Sequence, residues 1–325
     1  MTSMTMVQAL NAGLRRAMES DPRVLLMGQD IGPLGGVFRV TDGLQKDFGE
    51  QRVVDTPLAE SGIVGTAIGL AMRGYRPVVE IQFDGFVFPA FDQIVTMVAK
   101  HHYRSSGVTP MPIVIRIPYG GGIGAVEHHS ESPEAYFAHT PGLRVLTPGD
   151  AAEAYVTIQQ AIASDDPVIY LEPKRRYWDR AEVDDVSPIS GGPWSSRVLR
   201  TGSDVTLVGY GPMVRTMLEA ADAASEDGID CSVIDLRTLS PLDLDPVFDD
   251  VRRTGRCVVV HEAPVVLGIG SEVAARVTHE CFFHLEAPVE RVGGAFIPYP
   301  PNRYEKHYLP NVDRIVDALD LVMST

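Results

Sequence analysis

Cysteine and basic charge are scarce in this chain of 325 residues. The three cysteines, Cys231, Cys257 and Cys281, are an odd number without the paired spacing of a zinc site, so we predict reduced, structural thiols. Lys and Arg number 28 against 43 Asp and Glu, which gives a formal net charge of -15. Because phosphate backbones are bound by clustered basic side chains, this balance argues against nucleic acid as a partner.

Long apolar runs are missing as well. No segment approaches the roughly 18 uninterrupted apolar residues that a membrane span needs, and the N-terminus has no basic start leading into an apolar run. We therefore expect a cytoplasmic protein without membrane contact. With 45% hydrophobic and 22% charged residues, the chain can bury more than one core, and two domains are expected.

Short apolar runs alternate with amphipathic stretches in the first half, which is typical of a parallel sheet covered by helices. Two helix faces are predicted, one from Met6, Leu10, Leu14 and Met18 and one from Phe91, Ile94, Val95, Val98 and His102. The predicted strands are Val24 to Met27, Val78 to Phe83, Pro112 to Ile117, Val145 to Thr147 and Val168 to Leu171.

A polar stretch containing Gly and Pro interrupts this alternation and predicts a linker. The alternation then resumes with four strand-like runs and three helical stretches, which indicates a second, smaller domain of the same kind. We predict two doubly wound α/β domains at residues 1–175 and 203–325, joined by a linker at 176–202. The second-domain strands are Val205 to Val208, Cys231 to Ile234, Cys257 to Val260 and Val289 to Val292.

The segment from Asp55 to Gly69 places an acid at the start of a helix rich in small residues. Glu60 lies in its first turn, and Gly62, Gly65 and Gly69 fall on one face. Another backbone or a flat ligand could approach such a face closely. Taken alone, a Glu at this position simply favours the positive end of a helix.

Two further blocks stand out. Residues 80–94 leave a strand and enter a helix, and open α/β sheets bind ligands at strand ends of this kind. The aromatic residues of this block could equally be core residues. The stretch from Pro118 to Ala125 is dense in glycine and runs into His128 and His129, which is typical of a mobile active-site loop, although a lone loop His is usually solvated surface.

These three blocks resemble the beta chains of thiamine diphosphate-dependent 2-oxo acid dehydrogenases, within the transketolase-like superfamily. The resemblance runs from about Thr5 to about Leu321 and implies a pyrimidine-binding domain followed by a transketolase C-terminal-like domain. It implies that Glu60 is a buried carboxyl of raised pKa that hydrogen-bonds N1′ of the cofactor ring and controls its tautomer. By the same resemblance, Phe86 stacks on the aminopyrimidine, and Leu58 and Gln82 line it.

The resemblance also singles out one of the paired histidines. His129 directly precedes a Ser-x-Ser-Pro-Glu-Ala run and matches the family's active-site His, which handles the thiamine-bound intermediate and its transfer to a lipoyl group. A shift of register by one residue would give this role to His128.

The metal-binding motif of thiamine enzymes is absent. No Gly-Asp-Gly occurs, since Phe83-Asp84-Gly85 and Thr41-Asp42-Gly43 both lack the first Gly. The resemblance therefore implies that a separate alpha chain holds the diphosphate and Mg2+, in an alpha2beta2 heterotetramer that docks on a lipoyl acyltransferase core. It also implies a structural K+ site near Ile113, Ala161, Ile162, Ser164 and Asp166, where Ser164 and Asp166 replace the more usual Asp and Asn.

The resemblance also indicates a substrate class, and three alternative functions are considered beside it. Residues 80–94, Ser132 to Ala135 and Leu171 to Lys174 resemble branched-chain 2-oxo acid enzymes most, and pyruvate or acetoin dehydrogenase beta subunits are the alternatives within the family. An NAD-dependent oxidoreductase is a second alternative, because Gly209-Tyr210-Gly211-Pro212-Met213-Val214 imitates a dinucleotide fingerprint. Val214 stands at the third glycine position and would crowd the helix. A non-catalytic assembly module is the third alternative.

Overall fold

The computed structural model describes residues 1–184 and 194–325, and two open α/β sheets dominate it. The first sheet has the strand order β12-β6-β7-β5-β4-β2-β3, and all neighbours are parallel except β12 and β6. Its strands are β2 (Val24–Gly28), β3 (Val53–Asp55), β4 (Arg76–Glu80), β5 (Val114–Tyr119), β6 (Arg144–Leu146), β7 (Val168–Pro173) and β12 (Thr238–Ser240).

Helices cover both faces of the first sheet. Alternate residues of each strand enter different cores: Leu25 and Met27 join one core, whereas Val24 and Leu26 join the other. This is the arrangement that the fully apolar strands predict. The α-helices are α1 (Met6–Ser20), α2 (Leu44–Phe48), α3 (Glu60–Met72), α4 (Ala99–Arg104), α5 (Glu134–Ala138) and α6 (Ala151–Ala163).

Local sequence explains α1 and its position. The Thr5 side chain accepts from Gln8 N at 3.2 Å, and the Gln8 side chain accepts from Thr5 N at 2.9 Å, which forms a capping box. The helix then packs on α6, and a Cβ built on Gly13 would lie 2.5 Å from Ile158. Glycine at this position therefore allows the two helices to approach closely.

The second sheet has the order β14-β13-β10-β11-β9, with only β9 antiparallel to its neighbour among the described strands. Its strands are β9 (Arg197–Arg200), β10 (Val205–Gly209), β11 (Cys231–Asp235), β13 (Cys257–Pro264) and β14 (Glu290–Gly294). Its helices are α7 (Met213–Glu226), α8 (Asp245–Thr254), α9 (Ile269–Cys281), α10 (Asn302–Tyr308) and α11 (Val312–Met323). The predicted class of two doubly wound α/β domains is confirmed.

Two strands lie within the predicted linker at 176–202. β8 (Arg180–Val183) pairs antiparallel with β1 (Thr2–Thr5), and β9 forms the edge of the second sheet. The middle of the predicted linker, residues 185–193, lies outside the described residues. The exact domain limits at 175 and 203 stay predictions, and β12 crosses over to pair with β6, which ties the two domains together.

Two other elements differ from the sequence prediction. The strand predicted to reach Phe83 ends at Glu80, and a 3-10 helix follows at Asp84–Ala90. The helix predicted from Phe91 to His102 is divided into a π-helix, Gln93–Val98, and α4. Widened turns of this kind occur often beside functional sites. In the described ranges, none of the helices has both the length and the apolar character needed to cross a bilayer.

Candidate active site

Glu60 is the first residue of α3, just beyond the carboxyl end of β3. The side chain is partly buried, less than the sequence predicts, while Leu58 beside it keeps 66% of its surface exposed. Apart from the adjacent residues and the backbone of α3 itself, no atom of the described residues lies within 4 Å of a Cβ built on Gly65 or Gly69. The predicted small-residue face of α3 is therefore open within the described residues.

Gln82 and Phe86 follow the end of β4, which is separated from β3 by β2 in the sheet. Gln82 is only 8% exposed, and its Nε2 donates to Asp30 Oδ2 at 2.8 Å, so the orientation of its amide is set by the protein. Phe86 is partly buried in the 3-10 helix, which packs against α3. The structure thus brings the helix that begins with Glu60 together with the segment that carries Phe86.

His129 joins these aromatic residues from a third strand end. Its ring stacks on Phe83 with a centroid distance of 4.0 Å and meets Phe86 edge-on at 5.0 Å. Gly85 makes the approach possible, because a Cβ at that position would lie 2.8 Å from His128 Cα. Gly85 is therefore needed because the histidine segment packs against it. Its place in the incomplete metal motif Phe83-Asp84-Gly85 does not require a metal to explain it.

The two histidines have different surroundings. The side chain of His128 is 52% exposed, with Nδ1 3.6 Å from Glu127. His129 is partly buried, and its Nδ1 atom is buried with no hydrogen-bond partner among the described residues. A buried ring nitrogen without a partner costs free energy unless a ligand uses it. This difference favours His129 over His128 for a chemical role, in agreement with the register preferred from sequence.

Beneath this surface lies a group of charges that sequence reasoning did not identify. Arg116 on β5 donates to Glu80 at 2.7 Å and to both oxygens of Glu172 at 2.6 and 2.9 Å. The Tyr177 hydroxyl donates to Glu172 at 2.6 Å. Burial raises the pKa of Glu80, against the opposing effect of Arg116. Arg116 and Glu172 each stand alone in an otherwise apolar strand of the sequence. A charged side chain that is buried in this way must be paired with an opposite charge, so the pattern could have indicated the group.

A second buried pair lies directly under the stacked rings. Lys174 Nζ donates to Asp84 Oδ1, and both side chains are fully buried. Asp84 Oδ2 also accepts from Glu131 N at 2.7 Å, two residues beyond His129. Burial raises the pKa of Asp84 and lowers that of Lys174, so the two charges depend on each other. This pair holds the far end of the histidine segment.

The residues of the predicted potassium site are engaged in protein contacts. Asp166 accepts from His102 at 2.9 Å and from Arg144 at 2.9 Å, and the Ser164 hydroxyl donates to Asp166 O at 3.0 Å. Arg76 donates to Ile162 O at 3.1 Å. The side-chain oxygens of Ser164 and Asp166 thus already have hydrogen-bond partners within the protein. The potassium site at Ile113, Ala161, Ile162, Ser164 and Asp166 stays a prediction.

The dinucleotide-like turn at Gly209 to Val214 packs against the first domain. A Cβ built on Gly211 would lie 2.7 Å from Thr147 Oγ1 and would collide with the Tyr119 hydroxyl. Asp235, at the end of β11, stands where a dinucleotide-binding fold places the acid that binds a ribose, but it is buried and accepts from Arg237 N at 3.0 Å. First-domain side chains occupy the place where a dinucleotide phosphate would lie, which argues against an NAD site here.

Comparison with known folds identifies the class. The family model "Transketolase, pyrimidine binding domain" matches residues 2–178, and "Transketolase, C-terminal domain" matches residues 195–315. A solved split-gene transketolase, described as an inactive beta4 tetramer, matches with a TM-score of 0.80 over 99% of this chain and 98% of that chain, at 23% identity. A Pichia stipitis transketolase mutant matches with a TM-score of 0.72 over 100% of this chain and 46% of that chain, at 15% identity. The fold is therefore transketolase-like.

Sequence relatives narrow the class further. The pyruvate dehydrogenase E1 component subunit beta of Leifsonia xyli is 59% identical over 98% of this chain and 94% of its own length. The 3-methyl-2-oxobutanoate dehydrogenase subunit beta of Mycobacterium tuberculosis is 52% identical, covering 99% and 92%, and the 2-oxoisovalerate dehydrogenase subunit beta of Pseudomonas aeruginosa is 44% identical, covering 99% and 95%. This chain belongs to the family of thiamine diphosphate-dependent 2-oxo acid dehydrogenase beta subunits.

The family implies dependence on thiamine diphosphate, and the residues present fit its pyrimidine half. A carboxylate stands at the first position of α3 at Glu60, the 3-10 helix that carries Phe86 packs against α3, and a buried amide is fixed at Gln82. The predicted family is thus confirmed, whereas the individual roles of Leu58, Glu60, Gln82, Phe86 and His129 belong to the proposal that follows.

Proposed function

We propose that this chain holds the aminopyrimidine of thiamine diphosphate between the start of α3 and the 3-10 helix Asp84–Ala90, and decarboxylates a 2-oxo acid together with an alpha chain. One observation carries the proposal: Glu60 begins a helix whose glycine face is not packed against any other element of the described residues, since a Cβ on Gly62 would meet only Ala59 at 3.6 Å and Cβ atoms on Gly65 and Gly69 would meet nothing beyond their own helix. Three glycines on an open face are not needed for packing within the chain, and they suit a face that a partner and a flat ring cover.

The side chains have separate roles in this proposal. Bound thiamine diphosphate supplies the nucleophilic carbon and the electron sink for decarboxylation. Glu60 shares a proton with the ring nitrogen N1′, and its burial is completed when the alpha chain covers α3. Phe86 stacks on the ring, Leu58 covers an apolar edge, and Gln82 faces it with an amide that Asp30 orients.

His129 acts after decarboxylation. Its ring is held by Phe83 and Phe86, and its Nδ1 is buried without a partner among the described residues, so a proton can be placed at this atom. We assign it to the reductive acylation of a lipoyl disulfide, in which the S–S bond breaks, one sulfur takes the acyl group and the other is reduced to a thiol that needs a proton. Such a step needs an acid or base whose pKa lies near the working pH, and His is the usual choice.

The partners follow from what the chain lacks. The sequence contains no Gly-Asp-Gly motif, so the diphosphate and its Mg2+ are assigned to the alpha chain of an alpha2beta2 heterotetramer. The lipoyl group is assigned to an acyltransferase core to which the heterotetramer binds. The chain alone is then predicted to be inactive.

We propose a branched-chain 2-oxo acid as the preferred substrate. The Ser132 to Ala135 and Leu171 to Lys174 blocks support this preference, as do two of the relatives by their names. Pyruvate is the second candidate, because the relative at 59% identity is named for it.

Reconstitution tests both levels of the proposal. Co-expression with a candidate alpha chain should give a complex that decarboxylates 2-oxo acids only when thiamine diphosphate and Mg2+ are present. Higher kcat/KM for branched 2-oxo acids than for pyruvate would support the branched-chain preference, and the reverse order would replace it with pyruvate. A complex that assembles with the cofactor yet decarboxylates none of them would contradict the proposed function.

A further inference from the structure

The histidine segment belongs to a closed loop. Residues 120–131, here called the glycine loop, leave β5 and return to their starting point, where Gly120 N donates to Glu131 O at 2.9 Å. Asp84 Oδ2 accepts from Glu131 N at 2.7 Å, which fixes the returning end from the first domain. His128 and His129 lie just before that end, so the conformation of the loop determines where their rings stand.

The other end of the glycine loop is held by carboxylates of the second domain. Glu262, near the end of β13, accepts from Gly121 N through Oε1. Glu305, on α10, accepts from Gly122 N at 2.9 Å and from Gly124 N at 3.2 Å. The two carboxylates thus receive three successive or nearly successive backbone amides, an arrangement that specifies the path of the backbone.

The glycines match this arrangement sterically. Gly120, Gly122 and Gly124 have φ values of +79°, +86° and +72°, a region that favours glycine. A Cβ on Gly120 would lie 2.8 Å from Glu262 Oε1, and one on Gly124 would lie 2.9 Å from Asn302 Nδ2. The second domain therefore packs directly against the backbone of the glycine loop.

Keeping these carboxylates buried is costly, which indicates that their contacts matter. Glu262 is 2% exposed and Glu305 is 9% exposed. Burial raises the pKa of Glu262, and the nearby Arg175, 3.5 Å from its Oε2, opposes that effect. The Tyr299 hydroxyl donates to Glu305 at 2.8 Å and helps to hold it. An apolar residue would pack a core at lower cost, but it could not accept the loop amides.

We propose that Glu262 and Glu305 are positioning residues through which the second domain holds the glycine loop and thereby sets His129 against Phe83. The proposal rests on the proposed function of His129 and assigns the second domain a part in acyl transfer. It leaves cofactor activation to Glu60, which stands on a different element. The loop can therefore be disturbed without touching the tautomer control of the cofactor.

The test uses the complete alpha/beta complex carrying Glu305→Ala, Glu305→Gln, or the matched control Glu219→Ala on the surface of α7. Three quantities are measured: hydrogen exchange of the amides in residues 120–131, deuterium exchange of the C2 proton of bound thiamine diphosphate, and acyl transfer to lipoamide. Glu305→Ala should speed amide exchange in the loop and lower kcat for acyl transfer by about tenfold to a hundredfold, with C2 exchange unchanged.

Glu305→Gln keeps one acceptor oxygen and should restore part of the acyl transfer, while Glu219→Ala should match the wild type in every measurement. Unchanged loop exchange in Glu305→Ala would overturn the proposal. An equal fall in C2 exchange and acyl transfer would also overturn it, because it would show general damage to the site. If the wild-type complex lacked decarboxylation, the proposed function would fail instead, and faster loop exchange in Glu305→Ala would still show that Glu305 holds the loop.

Discussion

The two domains share one architecture but use the carboxyl ends of their strands differently. In the first sheet, β3, β4 and β5 lead to Glu60, Phe86 and His129, and each of these side chains is only partly buried. In the second sheet, β10 and β13 lead to a turn packed under Tyr119 and to Glu262, which is buried against the glycine loop. We propose that the partly buried side chains at the strand ends of the first sheet serve the cofactor, whereas the strand ends of the second sheet are covered by the other domain.

From this comparison of the two domains, we expect replacement of Glu60 to lower activity more than replacement of any other acid. Glu60→Ala in the alpha/beta complex should lower kcat for 2-oxo acid decarboxylation by about a hundredfold to ten-thousandfold, because it removes the group that we propose shares a proton with the cofactor ring. Steady-state assays with gel filtration to verify assembly would measure it. Glu19→Ala, an exposed acid on α1, is the control and should have wild-type activity. Full activity of an assembled Glu60→Ala complex would favour the non-catalytic assembly module.

The buried acids of the first sheet should affect the free energy of unfolding rather than activity. Arg116→Met leaves Glu80 and Glu172 buried without their partner, so the free energy of unfolding should fall by about 3–5 kcal/mol. Denaturant titration measures this change. Arg23→Met removes an exposed partner of Asp21 and should cost no more than about 1 kcal/mol. A loss of no more than about 1 kcal/mol for Arg116→Met, as expected for the exposed pair, would show that the central ion pairs contribute little to stability.

Glu134 links the two domains and should give a pH-dependent stability. Burial raises the pKa of Glu134 from 4.5 to about 7, while Tyr210 donates to it at 2.7 Å. A raised carboxyl pKa in the folded state favours folding below pH 4.5, and this contribution is lost as the pH rises through 7.

The matched variant is Glu134→Gln, which keeps the acceptor for Tyr210. Above pH 7 it should be more stable than the wild type by up to about 3 kcal/mol, since one pKa unit corresponds to about 1.4 kcal/mol, and the advantage should vanish below pH 4.5. Unfolding free energies of both proteins across this pH range would measure it. A difference independent of pH would mean that Glu134 does not titrate in this window.

The smallest effect is expected at Phe86. Phe86→Leu removes the proposed stacking and should raise the Kd for thiamine diphosphate in the complex by roughly twofold to tenfold, from the usual value of an aromatic pair. Phe86→Tyr keeps the ring and should bind like the wild type. Fluorescence titration would compare them. Equal affinities of all three proteins would place the pyrimidine away from Phe86.

The sequence alone predicted the elements with strong periodicity. Met6, Leu10, Leu14 and Met18 are all buried on α1, as their spacing indicates. Helix boundaries near Pro89 were less predictable, because a π-helix depends on how the chain packs after the turn. The family was predictable from three motifs, since Glu60, Phe86 and His129 stand in short runs with distinctive neighbours.

Several functional contacts could not be predicted from sequence. Gly121 and Glu262 are separated by 141 positions, and no periodicity relates them. Glu80, Arg116 and Glu172 appear as isolated charges in three strands, and their pairing depends on the order β4-β5-β7. The proposal of His129 rather than His128 is likewise supported by its stacking on Phe83, a contact that no local sequence pattern indicates.

Local pattern determined which segments become strands and helices, and which family the chain belongs to, because both are written in neighbouring residues. Only the tertiary structure decided which acids are neutralised and which keep an open side, because burial and ion pairing arise between residues far apart in the chain. The same holds for the glycine loop: its glycines are visible in the sequence, but the carboxylates that receive its amides come from another domain.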